Sequence, residues 1–277
     1  MISGRECRYR PTPFPLPHSP LPHQFMTSPT CPDALWLNVS PSFERFDQKL
    51  LGCLARHVEV AHWAYRQTPD EPSCLDIAVT LLHDYLKGHN RPVHLLGHGT
   101  GGLVGLLYAR QNPHRVKSLT LLSVGVNPMV DWQAHYYAQL ERLPCPRQMV
   151  LTQMIYSLFG HQARPLLPGW VNLLEQDLLH SASPHSLLKR VSLCPGSVAV
   201  PLLVCGGEDD AVVDPNQIRG WQPWLQAGDR TALFPGRHFF HATCPQRVAD
   251  QILSFWGTTE RLLVPSQSFT ESLKTVL

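Results

Sequence analysis

The sequence predicts an α/β fold: a mainly parallel central sheet with helices on both faces and one inserted helical segment. Three observations predict it. Short apolar runs alternate with segments of helical period, the rhythm of strands joined by crossover helices. One stretch, residues 92–110, passes from an apolar strand through a turn of small residues directly into a helix. Between about residues 125 and 200 the strand rhythm stops, aromatic-rich helical patterns replace it, and strands then resume.

The elements follow in order. Residues 34–40 (ALWLNVS) read as a strand, turned by Pro41 and Ser42. A helix follows with Phe43, Phe46, Leu50, Leu51 and Leu54 on one face at three- and four-residue spacing. Residues 58–65 form a second strand, ended by the turn Thr68-Pro69-Asp70-Glu71-Pro72. Ser73 is a suitable N-cap for a helix whose inner face carries Leu75, Ala78, Leu81, Leu82 and Leu86. Residues 92–96 are the central strand, and Asn112-Pro113 stops the helix after it. A strand at 116–122 precedes the inserted segment, which carries Trp132, Tyr136, Tyr137, Met149, Met154, Tyr156, Phe159 and Trp170 between prolines. The strand at 201–205 leads into Gly206-Gly207-Glu208-Asp209-Asp210. A helix at 217–225, a strand at 231–234, the loop Gly236-Arg237-His238 and a helix at 246–256 complete the core.

A chain of 277 residues suits one large domain with an insertion. The net charge of +2 gives no case for nucleic acid. The 8 cysteines form no C-x-x-C pair, so neither zinc nor a disulfide framework is indicated; buried reduced thiols in a cytoplasmic protein are expected. The histidines are scattered, and no apolar run is long enough to cross a bilayer. Nothing implies a cofactor, and nothing sets an oligomeric state. Residues 1–30 differ in kind: Arg5, Arg8 and Arg10 precede Pro11, Pro13, Pro15, Pro17, Pro20 and Pro22. Such spacing forbids helix and sheet, so a disordered or extended arm is expected, without the apolar core of a secretory signal. A docking role for this arm, or a natural start at Met26, are the two readings it leaves. Residues 258–277 form a tail beyond a domain at 31–257.

The turn at 97–102 (GHGTGG) fits two devices. Gly97, Gly99 and Gly102 satisfy the dinucleotide fingerprint G-x-G-x-x-G. That fingerprint needs an acid at the end of the next strand, and Leu121-Leu122-Ser123-Val124-Gly125 has none. The other device is the strand-to-helix elbow G-x-S-x-G, from which the chain departs at Gly99 alone.

With the loops at 207–213 and 236–241, this elbow resembles the α/β-hydrolase superfamily over roughly residues 32–257, in the family's order of elbow, acid and histidine. The inserted segment at 125–200 resembles the helical cap between that family's sixth and seventh strands. The resemblance implies that Asp210 orients His238, the general base, with Asp209 or Asp214 and His241 as the alternatives. It places Gly99 where the family carries its nucleophilic serine. Glycine keeps such a turn and deletes the hydroxyl. Thr100 is not a replacement; its backbone N–H would be one oxyanion donor, and that of Ser40 or Ser42 the other, Pro41 having none. His98 commonly stands beside the family's serine. The aromatics of the insertion either fill the core or line an apolar pocket.

These features imply a hydrolase-fold protein of carboxylic-ester type, taking an apolar small-molecule ester or ligand and impaired by the missing serine. The alternatives are a His–Asp dyad enzyme that abstracts a proton without a nucleophile, or a non-catalytic binding or scaffold protein.

Overall fold

Six strands, β1 (Ala34–Asn38), β2 (Val60–Ala64), β3 (Val93–His98), β4 (Val116–Leu122), β5 (Leu202–Gly207) and β6 (Arg230–Phe234), form one sheet in the order β2-β1-β3-β4-β5-β6. Every pairing in it is parallel. This computed structural model describes residues 31–263 except 69, 71–73, 187 and 189–190, with the side chains of 260–263 also left aside. The proline-rich arm over 1–30, Met26, the cap expected at Ser73 and residues 264–277 lie outside the described residues.

Parallel strands are covered on both faces, and β1 shows the consequence: all of ALWLN is buried. Side chains alternate along a strand. Ala34 and Trp36 join Leu50 and Leu54 of α1 (Glu44–Leu54) and Ile252 and Phe255 of α9 (Pro245–Leu263) on one face. Leu35 and Leu37 join the other cluster, with Leu82 of α2 (Asp76–Leu86) and Leu103 of α3 (Thr100–Gln111). Because β1 lies between β2 and β3, the chain leaves it first toward one side and later returns on the other. The crevice at the carboxyl ends of β1 and β3 is therefore the switch point where such sheets bind ligands.

Close backbone approach fixes β3, α3 and β1 together. A Cβ on Gly97 would lie 2.5 Å from the Gly101 carbonyl carbon, and one on Gly101 would collide with the Leu37 carbonyl oxygen of β1. The conflict is with backbone, which cannot rotate away. Gly101→Ala is expected to destabilise the chain by about 1–3 kcal/mol, read as a lower thermal midpoint; an unchanged midpoint would refute this packing.

The insertion falls between the fourth and fifth strands of this sheet. It contains α4 (Trp132–Arg142), α5 (Arg147–Phe159) and α6 (Leu167–His180). The helical pattern expected to about 200 stops at His180, and no helix lies among the described residues of 181–201. Buried polar groups tie the insertion together. The Trp132 indole N–H donates to Asp177 Oδ2 at 3.0 Å, Ser181 Oγ donates to the Asp177 carbonyl at 2.6 Å, and Gln133 Nε2 donates to Ser181 Oγ at 2.8 Å. Asp177 Oδ1 is buried without a partner. Burial raises the Asp177 carboxyl to about 7, against the pull of its bonds from Trp132, Ser181 and Gln133.

Four local expectations need correction. Leu81, expected on the inner face of α2, is 44% exposed, and Val79 is buried there instead. The helix expected at 217–225 is α7 (Pro215–Arg219) followed by a separate turn at Gln222–Trp224, because Gly220 ends α7 and Pro223 supplies no N–H. α9 runs past the expected end at 256 to Leu263. Of the described cysteines, all free, only Cys205 is buried. No described helix is long and apolar enough to cross a membrane.

Candidate active site

β3 passes into α3 through Gly99 alone, at φ 50° and ψ −123°. A residue with a side chain is strained there. The neighbouring glycines are required by contact, whereas a Cβ on Gly99 would meet nothing within 4 Å. Gly99 N–H donates to the Leu122 carbonyl of β4 at 2.9 Å, and its carbonyl accepts from Leu103 N–H at 3.0 Å, so the turn is held by backbone bonds.

The loops after β5 and β6 bring Asp210 and His238 together. His238 Nδ1 lies 2.9 Å from Asp210 Oδ2, with both residues 2% exposed. Asp210 Oδ1 accepts the N–H groups of Val212 and Val213 at 2.8 and 3.0 Å. Burial pushes the Asp210 carboxyl up, but the His238 charge and bond, with those N–H groups, outweigh it and hold the carboxyl below its ordinary value. A carboxylate on Nδ1 fixes the imidazole tautomer and leaves Nε2 able to take a proton. The other candidates are placed differently: Asp209 is exposed, Asp214 caps α7 by accepting Asn216 N–H at 2.7 Å, and His241 Nε2 pairs with Asp47 Oδ1 at 3.0 Å.

His98 sits between the two histidines, its ring centroid 4.7 Å from each. Burial, then the charges of His241 and His238, push it well below its ordinary value. The neutral ring donates from Nε2 to the His238 carbonyl at 3.0 Å.

Asn38, Ser40, Gly99, Asp131, His238 and Phe239 are among the residues lining the crevice. Ser40 N–H, expected as an oxyanion donor, instead donates to Asn38 Oδ1 at 2.8 Å. Thr100 opens α3, so its N–H has no partner within the helix. Its hydroxyl donates to Asp131 Oδ2 at 3.1 Å, while Asp131 Oδ1 caps α4 on Ala134 N–H at 2.8 Å. Sequence reasoning did not single out Asp131; an aspartate directly before the helical pattern of α4 is the N-cap signal that would have placed it.

The crevice is small, about 30 Å³, when one water needs roughly 10–15 Å³ on the same measure. Phe239 closes it on one side, packed against Phe43, Phe46 and Phe159 with centroids at 5.1, 4.9 and 4.9 Å and against His98 at 4.6 Å. Phe239, Phe46 and Phe159 also line, with Trp170 and Arg237 among others, a cavity of about 430 Å³.

A parallel sheet with its strand-to-helix turn and its loop-borne pair at one edge is the architecture of an α/β hydrolase. Residues 15–251 match the model of the alpha/beta hydrolase family, and the chain belongs to that family. It is 47% identical over 227 residues to the uncharacterized protein sll0249 of Synechocystis sp. (strain ATCC 27184 / PCC 6803 / Kazusa), covering 82% of this chain and 90% of that one. It is 40% identical over 237 residues to protein alr2406 of Nostoc sp. (strain PCC 7120 / SAG 25.82 / UTEX 2576), covering 85% and 94%. Among solved structures it is similar in fold to a hydrolase from Pseudomonas aeruginosa PA01, with a TM-score of 0.57 and 22% identity over 81% of this chain and 89% of that one.

Proposed function

We propose that this chain carries the site of a carboxylic-ester hydrolase without its nucleophile, and is impaired or inactive as a serine hydrolase. Gly99 holds the nucleophile position, His238 is the general base and Asp210 orients it. The Thr100 N–H is one oxyanion donor; Ser40 becomes the other once its N–H leaves Asn38. The observation that carries this reading is the open space at Gly99, in an elbow conformation, next to a fully built Asp210–His238 pair. Helices α4–α6 act as the cap, and the ligand is a small apolar ester or a molecule like one. A cytoplasmic location goes with the free thiols.

In a complete site a hydroxyl at 99 would give its proton to His238 Nε2 and attack an ester carbonyl, whose oxygen the N–H donors would receive. The chain retains the proton acceptor and lacks the attacking atom. That same completeness favours a second reading, in which the dyad abstracts a proton from an acidic C–H or O–H substrate directly. Hydrolysis of nitrophenyl esters by the native chain and by Gly99→Ser, each with and without His238→Ala, separates the two. Activity confined to Gly99→Ser and lost with His238→Ala supports the first reading. Native turnover that depends on His238 supports the second, and silence from every variant removes the ester reading.

A further inference from the structure

Ser123 directly follows β4 and is the non-glycine with positive φ, 51°, among the described residues. It is 1% exposed. A buried residue held in that region costs on the order of 1–3 kcal/mol unless its surroundings enforce it. Glycine would avoid the cost. The strained backbone stays in the sheet, with Ser123 N–H donating to the Cys205 carbonyl at 2.9 Å. What the strain achieves is the placement of a hydroxyl: Ser123 Oγ lies 2.9 Å from the His238 carbonyl and 3.2 Å from Asp210 Oδ2.

We propose that Ser123 is a positioning residue for the Asp210–His238 pair, its hydroxyl bracing the carboxylate and the His238 backbone from one point. A hydroxyl has a single proton for these two acceptors. The His238 carbonyl has a second donor, the neutral His98 ring at 3.0 Å. That carbonyl accepts both donors on its two lone pairs, and Ser123 shares its proton between the nearer carbonyl at 2.9 Å and Asp210 Oδ2 at 3.2 Å. The carboxylate then has both sites on each oxygen filled: Val212 and Val213 N–H on Oδ1, His238 Nδ1 and Ser123 on Oδ2. Without Ser123, Oδ2 has His238 alone and the carboxylate is less firmly held about its terminal torsion. Ser123 does not line the crevice and touches no reacting atom; it acts through the pair.

The proposal rests on reading this pair as the working base, but its first test needs no turnover. In the full chain labelled with ¹⁵N-histidine, the Nδ1–H of His238, identified by its loss in His238→Ala, is expected as a resonance protected from solvent exchange. Ser123→Ala and Ser123→Gly are both expected to speed that exchange about tenfold. Ser123→Gly relieves the backbone strain, so its thermal midpoint should equal or exceed that of Ser123→Ala. Native protection in the glycine variant overturns the proposal, since the residue is then only a strained link, and a native chain without a protected resonance overturns it too. If Gly99→Ser hydrolyses esters, adding either substitution should lower kcat about tenfold with KM unchanged; a change in KM alone overturns it. If that background is inert, the ester reading fails while the exchange measurement still decides the role of Ser123.

Discussion

Gly99→Ser is expected to raise nitrophenyl ester hydrolysis by at least about 10³-fold, with an upper bound near the roughly 10⁶-fold loss seen when such a nucleophile is removed. The expectation rests on space and direction together. A Cβ at 99 would meet nothing within 4 Å, and the turn has the positive φ of an elbow. The variant should also be less stable, because serine bears strain that glycine does not, by about 1–3 kcal/mol. A lower melting point with a new His238-dependent activity is the joint signature. A folded variant with no gain would remove residue 99 from the nucleophile position and leave the binding readings standing.

Asp177→Asn is expected to stabilise the chain in mildly alkaline solution by about 2–4 kcal/mol, since each tenfold change in proton affinity is worth about 1.4 kcal/mol. The Asp177 carboxyl is raised by burial from 3.8 to about 7 in the folded chain. Between those values the folded state binds a proton that the unfolded state releases, so stability falls as pH rises through this window and levels off above it. Asparagine removes the charge while its carbonyl still accepts from Trp132. Its stability should therefore be flat where that of the native chain declines. Denaturant unfolding at several pH values gives the comparison; parallel curves for the two chains would mean that Asp177 remains ionised and tolerated. Trp132 lines the crevice, so the same charge bears on how α4 is held there.

Much of this was readable because it is local. The strand, turn and helix at 92–111 emerge from apolar runs and glycine spacing, and the structure reproduces them as β3, Gly99 and α3. Asp210 and His238 could be proposed because each stands in a loop just after a strand at a family landmark, and the structure brings them into contact. What escaped is pairing across long sequence separations. Asp47 and His241 are 194 positions apart, and Ser123 stands 87 from Asp210. No periodicity records such contacts. Positive φ at Ser123 carries no signal either, since serine is common in ordinary conformations. The engagement of Ser40 N–H was accessible in principle, because an asparagine two residues earlier commonly bonds to a backbone N–H in that way.

The aromatic wall at Phe239 has a consequence for the rate at which any ligand is captured. An open site fills at a speed proportional to ligand concentration, limited by diffusion and orientation. Here a crevice with room for about two or three waters and a far larger cavity share Phe239 in their linings. If a ligand spans both, that ring would have to part from Phe43, Phe46 and Phe159 to admit it. The observed association rate would then rise with concentration only to a ceiling set by the motion of the wall, so that ligands of very different affinity would reach the same limiting speed.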